Sequence, residues 1–369
     1  MNRLTTSWGE LELARFPEDP RDPLRAWDAA DEYLLRHLGT PTGSVVIVGD
    51  RWGALTTALA ALDPAQISDS HLAQEATRAN LKRNGAASAR LLSTQDAPPE
   101  RVDTLLIRVP KSLALLEDQL HRLAPALHPE TVVVGAGMVK EIHTSTLRLF
   151  ETIIGPTRTT LAEKKARLIL ARVDPALERP PNPWPLSYDL PEGIGPVSGR
   201  RVLNHAGVFC ADRLDIGTRF FLRHLPATSG PVTVADLGCG NGVVGLSAAL
   251  ANPAADVLYL DESHQALASA RANAGGAGRF VLGDGLSEVA PGSLDLVLNN
   301  PPFHTHQATT DRTAWRMFTG ARRALRAGGE LWVIGNRHLG YHVKLRRLFG
   351  NCEVAASDPK FVVLRAVKR

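Results

Sequence analysis

Short apolar runs, each followed by a glycine-containing or acidic turn, recur through the C-terminal half of the chain. They predict strands over 232–237, 256–261, 279–282 and 294–298, with a buried helix over 243–250. Strands that are apolar on both faces are typical of parallel sheets covered by helices. This half is therefore predicted to be an α/β domain with a mostly parallel central sheet.

The N-terminal half repeats this succession. It predicts a strand over 44–49 and a helix over 54–62, and its runs at 105–111 and 131–135 correspond to 297–302 and 331–335. Residues 165–169 likewise correspond to 360–364. We interpret the chain as a duplication of one design, which predicts two tandem Rossmann-like domains.

Prolines mark the boundary between the halves. Seven of them lie between Asp174 and Pro196, a density that suits neither helix nor central strand. The predicted organisation is an N-terminal domain over 1–178, a proline-rich linker over 179–196 and a C-terminal domain over 197–369.

Composition is globular, and 369 residues suffice for two cores. The three cysteines have no disulfide or metal spacing, which indicates a reducing compartment and no metal site. The N-terminus lacks the apolar core of a signal peptide, and no run of apolar residues is long enough to span a membrane. We expect a cytosolic protein, and the two fused copies suggest a monomer.

The most specific chemical motif is Asn300-Pro301-Pro302-Phe303, directly after the strand at 294–298. The Asn300 side-chain oxygen and the Pro301 carbonyl can accept hydrogen bonds from an amine, and neither proline has an N–H to compete. Phe303 offers a face on which a planar ring can stack. The four residues predict a catalytic corner that holds a nitrogen for methylation.

A glycine loop predicts the cofactor. Gly238-Cys239-Gly240-Asn241-Gly242 joins a strand to a helix, and Asp236 precedes it. The spacing departs from the G-x-G-x-x-G of dinucleotide sites, which disfavours a nicotinamide dehydrogenase. An acid at Asp236 suits the cationic methionine portion of S-adenosylmethionine, and the loop amides and Asn241 are expected around it.

Acids at two further strand ends complete the predicted cofactor site. Asp261, with Glu262 beside it, is expected to accept the ribose hydroxyls, and Asp284-Gly285 to contact the adenine amine. Open α/β sheets bind ligands at these carboxyl ends. Asn300 also falls there and is predicted to line the cofactor site as well as the corner.

The N-terminal copy has lost these features. Aligning Gly53 with Gly242 places Ile47 opposite Asp236 and Arg51 opposite Gly240. The corner motif aligns with Val109 opposite Asn300 and Lys111 opposite Pro302. This copy is predicted to bind no cofactor, and two roles stay open for it: binding a large substrate, or shielding the other domain.

Charge favours a nucleic-acid substrate. Between Arg312 and Gly350 there are nine Lys or Arg residues against one acid, Glu330, and the sequence pI is near 9.1. Such a stretch attracts phosphates, although solvated helix faces have the same composition.

The chain resembles a bacterial family of two-domain ribosomal RNA guanine-N2 methyltransferases nearly end to end, most closely the large-subunit methyltransferases G. The segments that carry the resemblance are 11–17, 26–35, 142–147, 164–168, 214–217, 335–339 and 360–364. The resemblance implies transfer of a methyl group from S-adenosylmethionine to N2 of a guanine in 23S rRNA, with only the C-terminal domain binding cofactor. It also implies that residues 209–217 close over the cofactor.

Alternatives remain at this stage. The related small-subunit enzymes act on 16S rRNA, and the same corner serves protein glutamine N5-methyltransferases. A non-catalytic RNA chaperone for ribosome assembly is a third reading. His304 and His306 adjoin the motif, but the histidines are not assigned as a base.

Overall fold

The computed structural model describes residues 3–19, 22–86, 89–302 and 307–369, with the backbone alone for 307–311. The chain divides into two compact units, Met1–Trp184 and Pro185–Arg369. Each unit contains one seven-stranded sheet flanked by helices, so the predicted α/β class with two Rossmann-like domains is confirmed. No helix among these residues is long and apolar enough to cross a membrane.

Unit 1 opens with a hairpin and continues as alternating strands and helices. Its strands are β1 (Arg3–Thr6), β2 (Gly9–Glu12), β3 (Val45–Val48), β4 (Ala65–Ser68), β5 (Arg90–Ser93), β6 (Val102–Arg108), β7 (Leu127–Met138), β8 (Thr157–Thr159) and β9 (Ala166–Ala171). Its helices are α1 (Ala29–His37), α2 (Ala54–Ala58), α3 (His71–Arg83), α4 (Leu113–Leu123) and α5 (Thr144–Ile153).

The unit 1 sheet has the order β5-β4-β3-β6-β7-β9-β8. Strand β9 is antiparallel to β7 and β8, and the other neighbours are parallel. Successive residues of β3 enter cores on opposite faces, since Ile47 packs with Leu34 and Val46 with Phe150. A strand buried on both faces explains why its sequence is continuously apolar.

Unit 2 follows the same plan. Its strands are β10 (Leu186–Asp189), β11 (Arg201–Asn204), β12 (Thr233–Leu237), β13 (Asp256–Asp261), β14 (Arg279–Leu282), β15 (Leu294–Asn299), β16 (Leu325–Asn336), β17 (Glu353–Ser357) and β18 (Phe361–Val367). Its helices are α6 (Ile216–Leu222), α7 (Val243–Ala251), α8 (His264–Asn273), α9 (Gln307–Ala324) and α10 (Tyr341–Phe349).

The order of the unit 2 sheet, β14-β13-β12-β15-β16-β18-β17, is that of unit 1 strand for strand. Strand β18 is the antiparallel one, as β9 is in unit 1. The loops after β3 and β12 also agree, because Gly53 and Gly242 both precede a helix with φ values of +76° and +78°. The identical topology supports the duplication inferred from sequence.

The sheet registers correct one part of that alignment. In unit 1 Ile47 lies beside Leu106, whereas in unit 2 the equivalent Asp236 lies beside Leu298. Counting onward places Arg108 opposite Asn300, so pairing Asn300 with Val109 was wrong by one residue. The strands β6 and β15, which precede these residues, are both short and apolar. Shifting one sequence against the other by one residue therefore gives an equally good alignment, and only pairing with neighbouring strands fixes the register.

The proline-rich segment contributes structure to unit 2 beyond Trp184. Strand β10 pairs antiparallel with β11, and Leu190 and Ile194 are buried in the unit 2 core. Strand β10 itself contains no proline. Pro185 and Pro191 fall on either side of it, where no ladder hydrogen bond is lost.

Candidate functional site

The loop between β12 and α7 forms one wall of the site. Gly238, Gly240 and Gly242 have φ values of +70°, +53° and +78°, a region that residues with a Cβ rarely adopt. A Cβ on Gly242 would lie 2.8 Å from the Ala270 Cβ, so this glycine lets α7 pack against α8. A Cβ on Gly240 would meet nothing within 4 Å, which makes this the open side of the loop.

Asp261 joins the end of β13 to this loop. Its Oδ2 accepts from the Gly240 N–H at 3.0 Å, and its Oδ1 accepts from the Ser263 N–H at 3.0 Å. Glu262 follows it in the chain and is partly buried. The structure thus places the predicted ribose-binding acid directly beside the open glycine, and its contact with a ribose stays a prediction.

Asp236 lies beneath the loop. Its Oδ2 accepts from the Gly245 N–H in the first turn of α7 at 2.7 Å, and the residue is 3% exposed. Burial, reinforced by the nearby Asp261 charge, raises the pKa of Asp236 to about 8. Burial therefore favours the neutral carboxyl in the folded chain, and its Oδ2 accepts a hydrogen bond at the N-terminus of α7. Its predicted contact with the methionine portion stays a prediction.

The titration of Asp236 predicts a pH effect on stability. A folded pKa of about 8 against an unfolded value near 3.8 means that the free energy of unfolding of unit 2 decreases as pH rises from about 4 to about 8. Asp236→Asn keeps an acceptor for Gly245 and removes the titration. We expect a flatter stability profile for this variant in urea unfolding between about pH 5 and about pH 9.

The control for that experiment is Asp189→Asn, which changes an exposed carboxylate of the same unit. It should leave the wild-type slope unchanged. A slope for Asp236→Asn as steep as that of wild type would show that Asp236 is ionised in the folded chain.

Three asparagines anchor the back of the loop. The Asn241 Nδ2 donates to the Asn204 Oδ1 at 2.9 Å, and the Asn273 Nδ2 donates to the Asn241 carbonyl at 2.9 Å. Asn241 itself is 8% exposed. The predicted cofactor residue Asn241 therefore holds the loop against β11 and α8, which sequence analysis did not find, because Asn204 and Asn273 belong to no recognised motif.

Asp284 and Gly285 follow β14, as predicted. The Asp284 carboxylate forms an ion pair with Arg316 of α9, and Gly285 has a φ of +58°. Sequence analysis counted Arg316 only as one of many basic residues. The pair brings α9 to the strand end where an adenine contact was predicted.

Asn300 follows β15, and only one end of its side-chain amide has a hydrogen-bond partner among the described residues. Its Nδ2 donates to the Thr218 Oγ1 of α6 at 3.0 Å. Its Oδ1 is buried and has no hydrogen-bond partner among the described residues. An acceptor that is withdrawn from solvent and unmatched is costly, and a ligand that donates a hydrogen bond here would remove that cost.

Pro301, Pro302 and Phe303 follow this acceptor in the chain. Pro301 is buried and Pro302 exposed, whereas Phe303 lies outside the described residues. Asn299 fixes the strand end, because its Nδ2 donates to the Leu237 carbonyl of β12 at 2.8 Å. The structure therefore brings Asn300, the glycine loop and Asp261 to one edge of the sheet, which is the edge predicted from sequence.

Both halves of the chain match known protein families. A family model described as the RLMG N-terminal domain matches residues 1–175, and one described as the methyltransferase small domain matches residues 199–365. A solved 16S rRNA N2 methyltransferase from T. Thermophilus, in complex with AdoMet and guanosine, is similar with a TM-score of 0.74. It is 24% identical and the match covers 100% of this chain and 97% of that one, so it shows the shared fold.

Curated relatives are much closer in sequence. The ribosomal RNA large subunit methyltransferase G of Streptomyces avermitilis is 73% identical, over 99% of both chains. The proteins of the same name from Streptomyces coelicolor and Stutzerimonas stutzeri are 71% and 50% identical, over at least 99% of each chain. The chain therefore belongs to the ribosomal RNA large subunit methyltransferase G family, as its resemblance implied, and is a methyltransferase.

Proposed function

We propose that this protein transfers a methyl group from S-adenosylmethionine to the exocyclic N2 of one guanine in 23S rRNA. The observation that carries the proposal is the buried Oδ1 of Asn300, which has no hydrogen-bond partner among the described residues and lies at the same end of the sheet as the glycine loop. An exocyclic amine is a donor of two hydrogens and would satisfy that acceptor. The large-subunit RNA follows from the name of the relatives, and such a substrate would place the enzyme in the cytoplasm.

The residues present fit the cofactor. Gly240 leaves open space, and the carboxylates of Asp261 and Asp284 stand at neighbouring strand ends, where hydroxyl and amine donors of a nucleoside find acceptors. S-adenosylmethionine would supply a methyl group already activated on a sulfonium. The chain therefore needs to position the two reactants and exclude water, more than to provide a strong base.

The target amine would be held by the corner after β15. The Asn300 Oδ1 would accept one N2 hydrogen and the Pro301 carbonyl the other, which directs the nitrogen lone pair away from the protein. Stacking on Phe303 stays a prediction. A guanine N2 is difficult to reach within a helix, so we infer that the base is unstacked or flipped before it enters the corner.

The first experiment is nucleoside mass spectrometry of 23S and 16S rRNA from a strain that lacks the gene. We expect N2-methylguanine to be missing from 23S rRNA and to return when purified protein and S-adenosylmethionine are added to deproteinised RNA or to subunits. Loss from 16S rRNA would reassign the enzyme to the small subunit. No change in either RNA would overturn the proposal and direct attention to protein glutamine.

We further propose that unit 1 binds no cofactor and assists with the RNA. At the edge equivalent to the unit 2 site, Arg108 is 1% exposed and pairs at 2.8 Å with both Asp28 and Asp31. Arg51, opposite the open Gly240, pairs with Glu141 at 3.2 Å. These ion pairs place guanidinium groups where unit 2 has the open Gly240 and the Asn300 acceptor.

A basic face on α9 and α10 is our candidate for RNA contact in unit 2. We define it by Trp315, Arg322 and Arg347. The Arg347 guanidinium lies 5.7 Å from the Trp315 ring, and Arg322 is two turns along α9 on the same side. Neither arginine pairs with a carboxylate within the described part of the chain. Unpaired guanidinium groups around an aromatic ring suit a phosphate backbone with exposed bases.

The double variant Arg322→Ala/Arg347→Ala tests this face. We expect KM for RNA to increase roughly 10-fold and the slope of log KM against log salt to fall by about 1.5, since each lost phosphate contact removes about 0.7–0.9. The control, Arg279→Ala/Arg326→Ala, removes two exposed arginines that pair with Asp256 and Asp295. Equal slopes for the two variants would exclude the face as the RNA contact.

A further inference from the structure

The Asn300 side chain can serve an incoming amine in only one of its two orientations. With its oxygen towards the site it accepts a hydrogen bond, whereas a half-turn of the amide would present an NH2 group and repel the amine. The two orientations have almost the same shape, so packing alone does not choose between them. A partner with fixed hydrogen-bond polarity is required.

Such a partner is present at the start of α6. Asp215 caps this helix, and its Oδ2 accepts from the Thr218 N–H at 2.8 Å. The same oxygen accepts from the Thr218 hydroxyl at 3.3 Å. The Thr218 Oγ1 in turn accepts from the Asn300 Nδ2 at 3.0 Å.

The chemistry of these groups fixes the direction of the chain of hydrogen bonds. A carboxylate has no proton to donate, so the single hydroxyl proton of Thr218 points to Asp215. The Thr218 oxygen is then left with lone pairs only, and it can bind the Asn300 amide only through its NH2 end. Thr218 is 7% exposed, which keeps water from competing for these contacts.

We propose that Asp215 and Thr218 are positioning residues that set the orientation of the Asn300 amide and so direct its Oδ1 to the target amine. This inference rests on the proposed function, because it assumes that Asn300 accepts from that amine. It explains why, within the residues that the structure describes, the Nδ2 of Asn300 has a partner and its Oδ1 has none.

The test compares Thr218→Val with Thr218→Ser. Valine keeps the shape and the backbone cap to Asp215 but removes the hydroxyl, so we expect kcat to fall roughly 10-fold, equivalent to about 1.4 kcal/mol. Serine restores the hydroxyl and should return kcat to within about twofold of wild type. Affinity for S-adenosylmethionine and the thermal midpoint are measured for each variant and should stay near wild type.

A matched control is available at the other edge of the sheet. There the Asn252 Nδ2 donates to the Thr228 Oγ1 at 3.1 Å, so Thr228→Val removes the same kind of pair away from the site. It should leave kcat unchanged. A Thr218→Val enzyme that is as fast as wild type, or a Thr218→Ser enzyme that is as slow as Thr218→Val, would overturn the proposal.

A double variant with Asn300→Ala distinguishes the positioning role of Thr218 from the proposed role of Asn300. Because Thr218 acts through Asn300, adding Thr218→Val to Asn300→Ala should cause no further loss of kcat. An additional 10-fold loss would show that Thr218 acts by another route. If Asn300→Ala alone is fully active, the proposed role of Asn300 fails and the inference with it; if only Thr218→Val is active, the inference alone fails.

Discussion

Asn300→Ala is expected to lower kcat for RNA methylation by roughly 100-fold or more, by analogy with loss of one preorganised acceptor at a reacting group. The structure gives the reason: the Oδ1 is buried and has no partner in the described part of the chain, so a hydrogen bond to the amine would replace no contact seen there. The whole strength of this hydrogen bond can therefore act on the amine while its nitrogen is methylated. Single-turnover rates with enzyme in excess over RNA and S-adenosylmethionine saturating would measure the effect on chemistry alone.

Two controls make that result specific. S-adenosylmethionine affinity should change little, because the glycine loop and Asp261 keep their contacts in the variant. Asn252→Ala removes an asparagine whose amide binds Thr228 and the Gly230 carbonyl, and it should affect stability without affecting kcat. Turnover of Asn300→Ala at the wild-type rate would exclude Asn300 as the amine acceptor.

Arg108→Met is expected to destabilise unit 1 by about 3–5 kcal/mol at pH 8. The guanidinium is buried and is held by Asp28, Asp31 and the Ala136 carbonyl. Its removal leaves the buried Asp31 without its cation and Asp28 with Arg51 alone, at 3.7 Å. Methionine fills similar space and cannot pair with them. Native-state hydrogen exchange on the intact chain should show faster opening of β6 and β7, with unit 2 amides unaffected.

The pH dependence of this effect follows from Asp31. Burial raises the pKa of Asp31 to about 7 even with Arg108 present. The folded state therefore binds a proton at this carboxyl more readily than the unfolded chain does. Its contribution to stability therefore decreases as pH rises from about 4 to about 7. Without Arg108 the carboxyl can still protonate at low pH, and the loss of stability should be smaller near pH 5 than near pH 8.

Arg101→Met provides the comparison for Arg108. Arg101 pairs with Asp103 on the surface, with 67% of its side chain exposed, and such pairs contribute about 0–1 kcal/mol. A loss for Arg108→Met as small as that for Arg101→Met would show that the buried cluster is not what stabilises unit 1.

The strands that carry the site were predicted closely from sequence. The runs at 256–261 and 279–282 coincide with β13 and β14, and 294–298 falls one residue short of β15. Parallel strands buried on both faces must be continuously apolar, so their limits appear directly in the sequence. The glycine loop and the acids at strand ends were found for a related reason, since backbone conformation and polarity change abruptly where a buried strand stops.

The sequence alone also determined the duplication, because both halves present the same succession of runs and turns. It did not determine the register between them, and Arg108 rather than Val109 proved to lie opposite Asn300. Register depends on hydrogen bonds to neighbouring strands, and these join residues far apart in the chain.

Only the tertiary structure showed which polar groups are satisfied. Asp236 was predicted to bind the cofactor, and the fold additionally buries its carboxyl against Gly245. Thr218 and Asn300 are 82 residues apart, and no local pattern links them. Sequence fixes residue types at the ends of strands, whereas the partners of those residues, and hence their protonation and orientation, depend on elements that meet only when the chain has folded.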